Sequence, residues 1–248
     1  STGETTECIN ATEAVTYTVT VTDVNGCSAT ATAYDFTGMN TGCCGNYLDE
    51  FTYTSGTAPA GEYNLNGALY ISSGTLTLSG CTLAISGGVT IYVFAGASLI
   101  IEDNSYLYGC NSLWSGIENR GGYVEITGSR IEDGSAALDC DNAYGGAAEF
   151  QITNSTFNRN SISVNMQTGD YSTSTCTGSV FECTAPLKDG VTAQTEHHFM
   201  LTDVTAFTLG GDVGAPNNIK SAEIGIGGVY STYICEHNYF YKIGLTSH

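Results

Sequence analysis

An apolar residue recurs at Leu78, Ile101, Ile126, Ile152, Cys176, Leu201 and Ile234, at spacings of 23, 25, 26, 24, 25 and 33. Five or six residues after each stands a second: Leu83, Leu107, Ile131, Phe157, Phe181, Phe207 and Phe240. Small or polar residues fill the gap, as in Ile126-Thr-Gly-Ser-Arg-Ile131. A period near 25 made of such short segments specifies a solenoid, because one repeat cannot bury its own apolar face and must stack on its neighbours. Successive coils then lie ~4.8 Å apart, each strand pairing with its copies above and below. The one long spacing is assigned to a loop at Gly210-Gly-Asp-Val-Gly-Ala-Pro216. A leucine-rich repeat shares this period but needs several Leu per repeat and usually a helix, and neither is present.

The first 36 residues read differently. Tyr17–Asp23 alternates β-formers strictly, Asn25-Gly26 follows, and Ser28–Ala33 alternates again, which predicts a β-hairpin with Tyr17, Val19 and Val21 on its buried face. Residues 1–36 are too short for a whole β-sandwich and read as the second half of one. The expected organisation is therefore a partial Ig-like segment over 1–36, a Cys-bearing linker over 37–61 and a β-solenoid over 62–248.

Charge excludes several partners. Six Lys and Arg stand against 25 Asp and Glu, for a net charge of −19. No basic face is available to displace counterions from a phosphate backbone, so nucleic acid is excluded, as are anionic membrane surfaces. The longest apolar stretch, Val89 to Ile101, is interrupted by Thr90, Gly96 and Ser98 and is too short to span a bilayer; membrane insertion is not expected. Ten cysteines without a CxxC pair or a Cys/His cluster at zinc spacing point to an oxidising, extracellular or cell-surface setting. Most are expected to be oxidised. Cys8 is the natural partner of Cys27, Cys43-Cys44 is available to staple the linker, and Cys176 is the thiol expected to stay reduced because it replaces an inward aliphatic anchor.

Two resemblances extend this reading. The stretch Ala14 to Ala31, AVTYTVTVTDVNGCSATA, is similar to the signature of SprB-type repeats, Ig-like modules of giant surface adhesins in gliding Bacteroidetes. The repeating region resembles the right-handed parallel β-helix of pectin-degrading enzymes, phage tailspikes and many exported Bacteroidetes proteins. Gly96-Ala-Ser-Leu99, Trp114-Ser-Gly-Ile117 and Gly121-Gly-Tyr-Val124 look like recurring phrases of that last group. The resemblances imply an all-β, modular, secreted or surface-anchored bacterial protein.

The chemistry-bearing residues are few. Glu102-Asp103, Glu132-Asp133 and Asp139-Cys-Asp141 are the acidic groupings. Neighbours in a strand face opposite ways, and a 26-residue offset sets Asp133 against Arg159, which predicts a surface ion pair contributing at most about 1 kcal/mol. His197-His198 is the sole His pair and its rings are expected on opposite faces. The pectinase hydrolase pattern and a ladder of basic residues for lyase chemistry are both absent. Asp139, Asp141 and Asn142 crowd oxygen ligands at one corner, the hard set that Ca²⁺ accepts, with an unliganded Asx turn as the plainer alternative; no other cofactor is implied. Trp114 is the candidate ring for carbohydrate contact, with Tyr106, Tyr108, Tyr123, Tyr144, Tyr239 and Tyr241 as further rings. Packing is the commoner use of such rings. Phe157, Phe181, Phe207 and Phe240 are read as a core stack.

The function these features favour is a structural or adhesive module of an exported protein, in which no residue need be catalytic. A polysaccharide-binding or polysaccharide-degrading β-helix is the alternative. Ser1 reads as a processed or excerpted start. The last coil is expected to be uncapped, so that other domains, or copies of the same protein joined end to end in a fibre, complete it.

Overall fold

The computed structural model describes residues 16–22, 28–34, 51–53, 56–58 and 60–244. Thr16–Thr22 and Ser28–Tyr34 pair antiparallel, Thr16 opposite Tyr34 and Thr22 opposite Ser28. This is the hairpin that the alternation predicts. Its turn and the faces of its strands, together with Cys8, Cys27, Cys43 and Cys44, lie outside the described residues.

From Phe51 onward the described residues build a parallel β-solenoid of about 7 turns. Each coil contributes three short strands, and these form three stacks. The first stack runs Gly56–Ala58, Gly74–Ser79, Ala97–Glu102, Tyr123–Thr127, Glu149–Thr153 and Thr175–Thr177. The second runs Gly61–Leu65, Cys81–Ile85, Tyr106–Gly109, Arg130–Glu132, Thr156–Asn158 and Val180–Glu182. The third runs Phe51–Tyr53, Leu69–Ile71, Thr90–Phe94, Gly116–Arg120, Ala136–Asp141, Ile162–Asp170 and Thr195–Ala206. Asn217–Val229 pairs with the last strands of both the second and third stacks and merges them. Asn238–Ile243 lies on it.

Strand alternation sorts the side chains. Leu76 and Leu78, Leu99 and Ile101, and Val124 and Ile126 point inward and are buried, while the residues between them face water. The apolar anchors fall into register as the spacing predicts. Leu78, Ile101, Ile126, Ile152 and Cys176 stand one above another. So do Leu83, Leu107, Ile131, Phe157 and Phe181. Beyond Phe181 the count slips. Phe181 lies opposite Ile219 rather than Phe207, Ile219 opposite Phe240, and Leu201 pairs with Met166 in the third stack. An excursion over 183–194 lengthens that coil, so stepping by 25 lands on the wrong strand. Phe207 is still buried, but Phe240 is 45% exposed and does not complete the core stack. The solenoid also starts earlier than expected: Phe51–Tyr53 pairs with Leu69–Ile71, and Gly56–Ala58 with Gly74–Ser79, so part of the stretch read as linker is the first coil.

One corner carries a polar spine. The backbone N–H of Cys81 donates to Ser105 Oγ, that of Ser129 to Ser155 Oγ, that of Ser155 to Ser179 Oγ and that of Ser179 to Asn217 Oδ1. Every link joins one coil to the next and satisfies a buried donor that the strand ladder misses at the corner. At another corner the coils touch through Gly116 (φ 118°), where an added Cβ would fall 1.7 Å from the Ala136 carbonyl oxygen. Only glycine allows that approach.

Candidate functional site

The buried ionic centre lies on the outer side of the second stack, against the corner that follows it. Asp133 and Arg159 occupy equivalent corner positions in successive coils, both left-handed, with φ of 60° and 54°. Arg159 Nε donates to Asp133 Oδ1 at 2.9 Å and Arg159 Nη2 to Glu132 Oε2 at 2.7 Å. Glu132 also accepts from Tyr106 Oη at 2.6 Å and Asn158 Nδ2 at 2.8 Å, and Arg130 pairs with it. The two carboxylate side chains are 1% and 0% exposed. The expected Asp133–Arg159 pair is present, but it is a buried network and not a surface contact. The cover is the 183–194 excursion, which folds back as a strap. Thr184 bonds Asn158, Leu187 is buried, and Lys188 Nζ reaches Asp133 Oδ2 at 2.9 Å and the Gly109 carbonyl at 2.6 Å. Burial alone would raise the Glu132 carboxyl, yet the hydrogen bonds from Tyr106, Asn158 and Arg130, with the charge of Arg159, hold it below the usual range. Carboxylates committed in this way join coils and have no open face for a substrate.

A second buried group has the outline of a nucleophile and base. Ser163 Oγ lies 3.0 Å from His198 Nδ1, and His198 Nε2 lies 2.9 Å from the Lys220 carbonyl oxygen. The carbonyl can only accept, so Nε2 carries the proton and the Ser163 hydroxyl donates to Nδ1. Both side chains are wholly buried, with Phe181 beside the imidazole. Burial pushes the His198 imidazole down to about 4. The dyad bridges three coils and meets no substrate. His197, its neighbour, faces the other way and is partly exposed, as the strand alternation requires.

The outer face of the third stack is different. Tyr70 stacks on Tyr92 at 4.9 Å, Arg120 lies 4.4 Å above the Tyr92 ring, and Tyr144 lies 4.8 Å from Arg120 on a short 3-10 turn. Arg120 Nε also donates to Glu118 at 2.7 Å. Register sets Glu118 against Asp139, and Asp139 against Asn165. Asp139 Oδ1 accepts from both Asn165 Nδ2 and Gln167 Nε2 at 2.9 Å. Burial raises the Asp139 carboxyl above its usual range, against these two bonds, with Glu118 and Asp141 adding to the rise. Asn165 Oδ1 is shielded and has no hydrogen-bond partner.

At the expected calcium corner the side-chain oxygens of Asp141 and Asn142 are engaged in local turn bonds. Asp141 Oδ1 accepts from the Ala143 N–H, and Asn142 Oδ1 from the Ala148 N–H, the local Asx bonding that ordinary turns use. Among the described residues no group of three or more His, Cys, Asp or Glu side chains is placed to hold a metal ion. Trp114 is fully buried and its Nε1 donates to the Glu132 carbonyl at 2.8 Å. No ring face is left for a sugar, and the residue anchors the corner above the charge cluster. Tyr106 and Tyr108 stack on each other under the same strap, whereas Tyr144, Tyr239 and Tyr241 are exposed.

The cysteines also depart from expectation. Cys81, Cys140, Cys176, Cys183 and Cys235 are thiols, so a chain with most of its ten cysteines oxidised is not what forms. Cys110 is disulfide-bonded, and no disulfide joins two described cysteines. Burial raises the Cys140 and Cys176 thiols well above their ordinary values, which leaves them inert. Cys176 is reduced, as its place in the anchor column suggests.

Two features escaped the sequence reading. Lys188 lies in a non-repeating excursion, so no ladder offset points to its partner. The Tyr70–Tyr92–Arg120 stack was legible in principle, since Tyr92 and Phe94 repeat at i and i+2 just outside the apolar columns. No family model, curated protein or solved structure matches this chain. Among the described residues no helix is long and apolar enough to cross a membrane.

Proposed function

We propose that this chain is a structural and adhesive module of an exported bacterial cell-surface protein. The observation that carries this reading is the use made of its buried ionisable groups. Among the described residues every buried carboxylate and imidazole, in Glu132, Asp133 and His198, is spent on bonds between coils. A solenoid whose coils are tied by backbone ladders, a serine spine and an ionic centre resists bending and behaves as a rod. The extracellular setting rests on the resemblance of Ala14–Ala31 to SprB-type repeats.

The partners that fit are other domains or further copies of the same protein. Ile234, Tyr239, Phe240 and Tyr241 in the last described strands are 57%, 64%, 45% and 63% exposed, apolar surface of the kind that protein contacts cover. Electron microscopy and concentration-dependent light scattering test the reading. Short rods that associate end to end, and lose that association with Phe240→Asp, are expected. Flexible particles that never associate at high concentration would overturn it.

A second reading, polysaccharide binding, is favoured by the aromatic and polar outer face of the third stack.

A further inference from the structure

We infer that the disulfide of Cys110 closes on Cys43 or Cys44 and ties the segment before Phe51 to the end of the third coil, so that tension from the hairpin bypasses the first three coils. The bypass rests on the rod reading; the bond does not. Cys110 is disulfide-bonded. Five of the ten cysteines, Cys81, Cys140, Cys176, Cys183 and Cys235, are thiols, which leaves Cys8, Cys27, Cys43 and Cys44 as partners.

Reach selects among these four. The third stack sets Phe51, Leu69, Ile91 and Ile117 one above another. Cys110 shortly precedes Ile117, so it stands nearly three coils, about 14 Å, along the axis from Phe51. Gly109 lies over Ile85 and Ile85 over Leu65. Cys110 therefore shares the column of Asn66, three residues before Leu69 and within about 10 Å of it. The combined path is about 17 Å. Cys44 stands seven positions before Phe51, a span of up to about 24 Å, and Cys43 one further. Cys27 stands 24 positions before Phe51. Effective concentration falls roughly as the −3/2 power of tether length, which favours Cys44 over Cys27 about six-fold.

The corner that takes the bond is tied into the rest of the solenoid. Cys110 is buried, its N–H donates to the Ile85 carbonyl at 2.8 Å, and its carbonyl accepts from Lys188 Nζ at 3.1 Å. Lys188 also holds Asp133, and Asp133 holds Arg159, so a pull on Cys110 spreads to two further coils. Phe51–Tyr53 is an edge strand whose one sheet partner among the described residues is Leu69–Ile71. A solenoid pulled there peels coil by coil, because each coil contacts only its neighbours. Forming the bond is a two-electron oxidation. One cysteine thiolate attacks an external disulfide, the other displaces it, and the external disulfide leaves as two thiols carrying the cysteine protons.

The full chain, purified without reductant, is blocked with N-ethylmaleimide and digested with pepsin in acid, which halts thiol exchange. Mass spectrometry is expected to find Cys110 joined to Cys43 or Cys44. Stretching the same chain between its ends in a force microscope reads the bypass. Reductant is expected to release about 24 nm more contour, the 66 positions from Cys44 to Cys110 at ~3.6 Å each. Cys110→Ser should give the long contour without reductant, and the reduced parent supplies that comparison should the variant fold poorly. Cys110 joined to Cys8 or Cys27 would overturn the assignment. A maleimide-blocked Cys110, or no gain in contour with reductant, would overturn the tether altogether. End-to-end association judges the rod reading separately, so either can fail while the other stands.

Discussion

Lys188 holds Asp133 from outside the repeat, its Nζ 2.9 Å from Oδ2, while Arg159 reaches both oxygens from the next coil, Nε to Oδ1 and Nη2 to Oδ2. The two cations are not equivalent. Arg159 serves both Glu132 and Asp133, so Arg159→Ala takes the shared cation from two buried carboxylates, leaving Arg130 on one and Lys188 on the other, and is expected to cost about 3 kcal/mol. Lys188→Met leaves Asp133 its Arg159 partner, keeps a side chain of similar length, and is expected to cost only about 1–2 kcal/mol. Urea unfolding of both variants checks the order. A Lys188→Met loss as large as that of Arg159→Ala would mean that the strap, not the inter-coil pair, holds the centre.

His198 makes stability depend on acid. Its folded value is about 4 against an ordinary 6.5. The unfolded chain therefore binds the proton first, and stability rises with pH between those values. The contribution is whole above pH 6.5, falls through the interval, and is gone below pH 4. At about 1.36 kcal/mol per unit, it amounts to roughly 3 kcal/mol. His198→Gln keeps a donor for the Lys220 carbonyl and an acceptor for Ser163 but does not titrate. The difference in unfolding free energy between parent and variant should change by about that amount from pH 7.5 to pH 4; a constant difference would refute the assignment.

Legibility followed the repeat. Columns such as Leu78 to Cys176 and Leu83 to Phe181 were readable because each coil returns the chain to the same inward position, and spacing alone carries that information. The Asp133–Arg159 offset was readable for the same reason. Its burial was not, because the strap that buries it is an insertion, and an insertion has no periodic partner. The same insertion displaced the expected Phe207 and Leu201 positions. Trp114 misled for another reason: composition marks an aromatic as a sugar platform or a core residue equally well, and only the Glu132 carbonyl beside its Nε1 decides. The Tyr70–Tyr92–Arg120 stack depends on side-chain rotamers as well as on register.

Thiol reactivity should divide by depth. Cys140 and Cys176 are wholly buried, and Cys235 is exposed. Iodoacetamide without reductant, followed by intact mass measurement, is expected to modify Cys235 first and Cys183 more slowly in the native chain. Cys140 and Cys176 should react only after denaturant is added, since thiolate character and access both control the rate. Rapid native labelling of Cys176 would mean that the first stack opens near its last strand.

Trp114 is the only tryptophan, and its indole sits fully buried between Glu132 and the corner that Gly116 shapes. Its fluorescence therefore reports one place in the solenoid. Native emission is expected to be blue-shifted and insensitive to iodide, because a sheltered indole meets neither water nor the quencher. Trp114→Ala removes a buried aromatic and leaves a cavity, for an expected loss of about 3–5 kcal/mol. Trp114→Phe restores most of the volume but leaves the Glu132 carbonyl without its donor, so a smaller loss of about 1–3 kcal/mol is expected from the unsatisfied acceptor and residual void. The Arg159→Ala variant links this probe to the ionic centre. If the charge cluster and the indole belong to one packed unit, unfolding of that variant should move the Trp114 transition and the circular-dichroism transition to the same lower urea concentration. A Trp114 transition that precedes the loss of β signal would instead show the corner opening on its own, with the remaining coils still stacked.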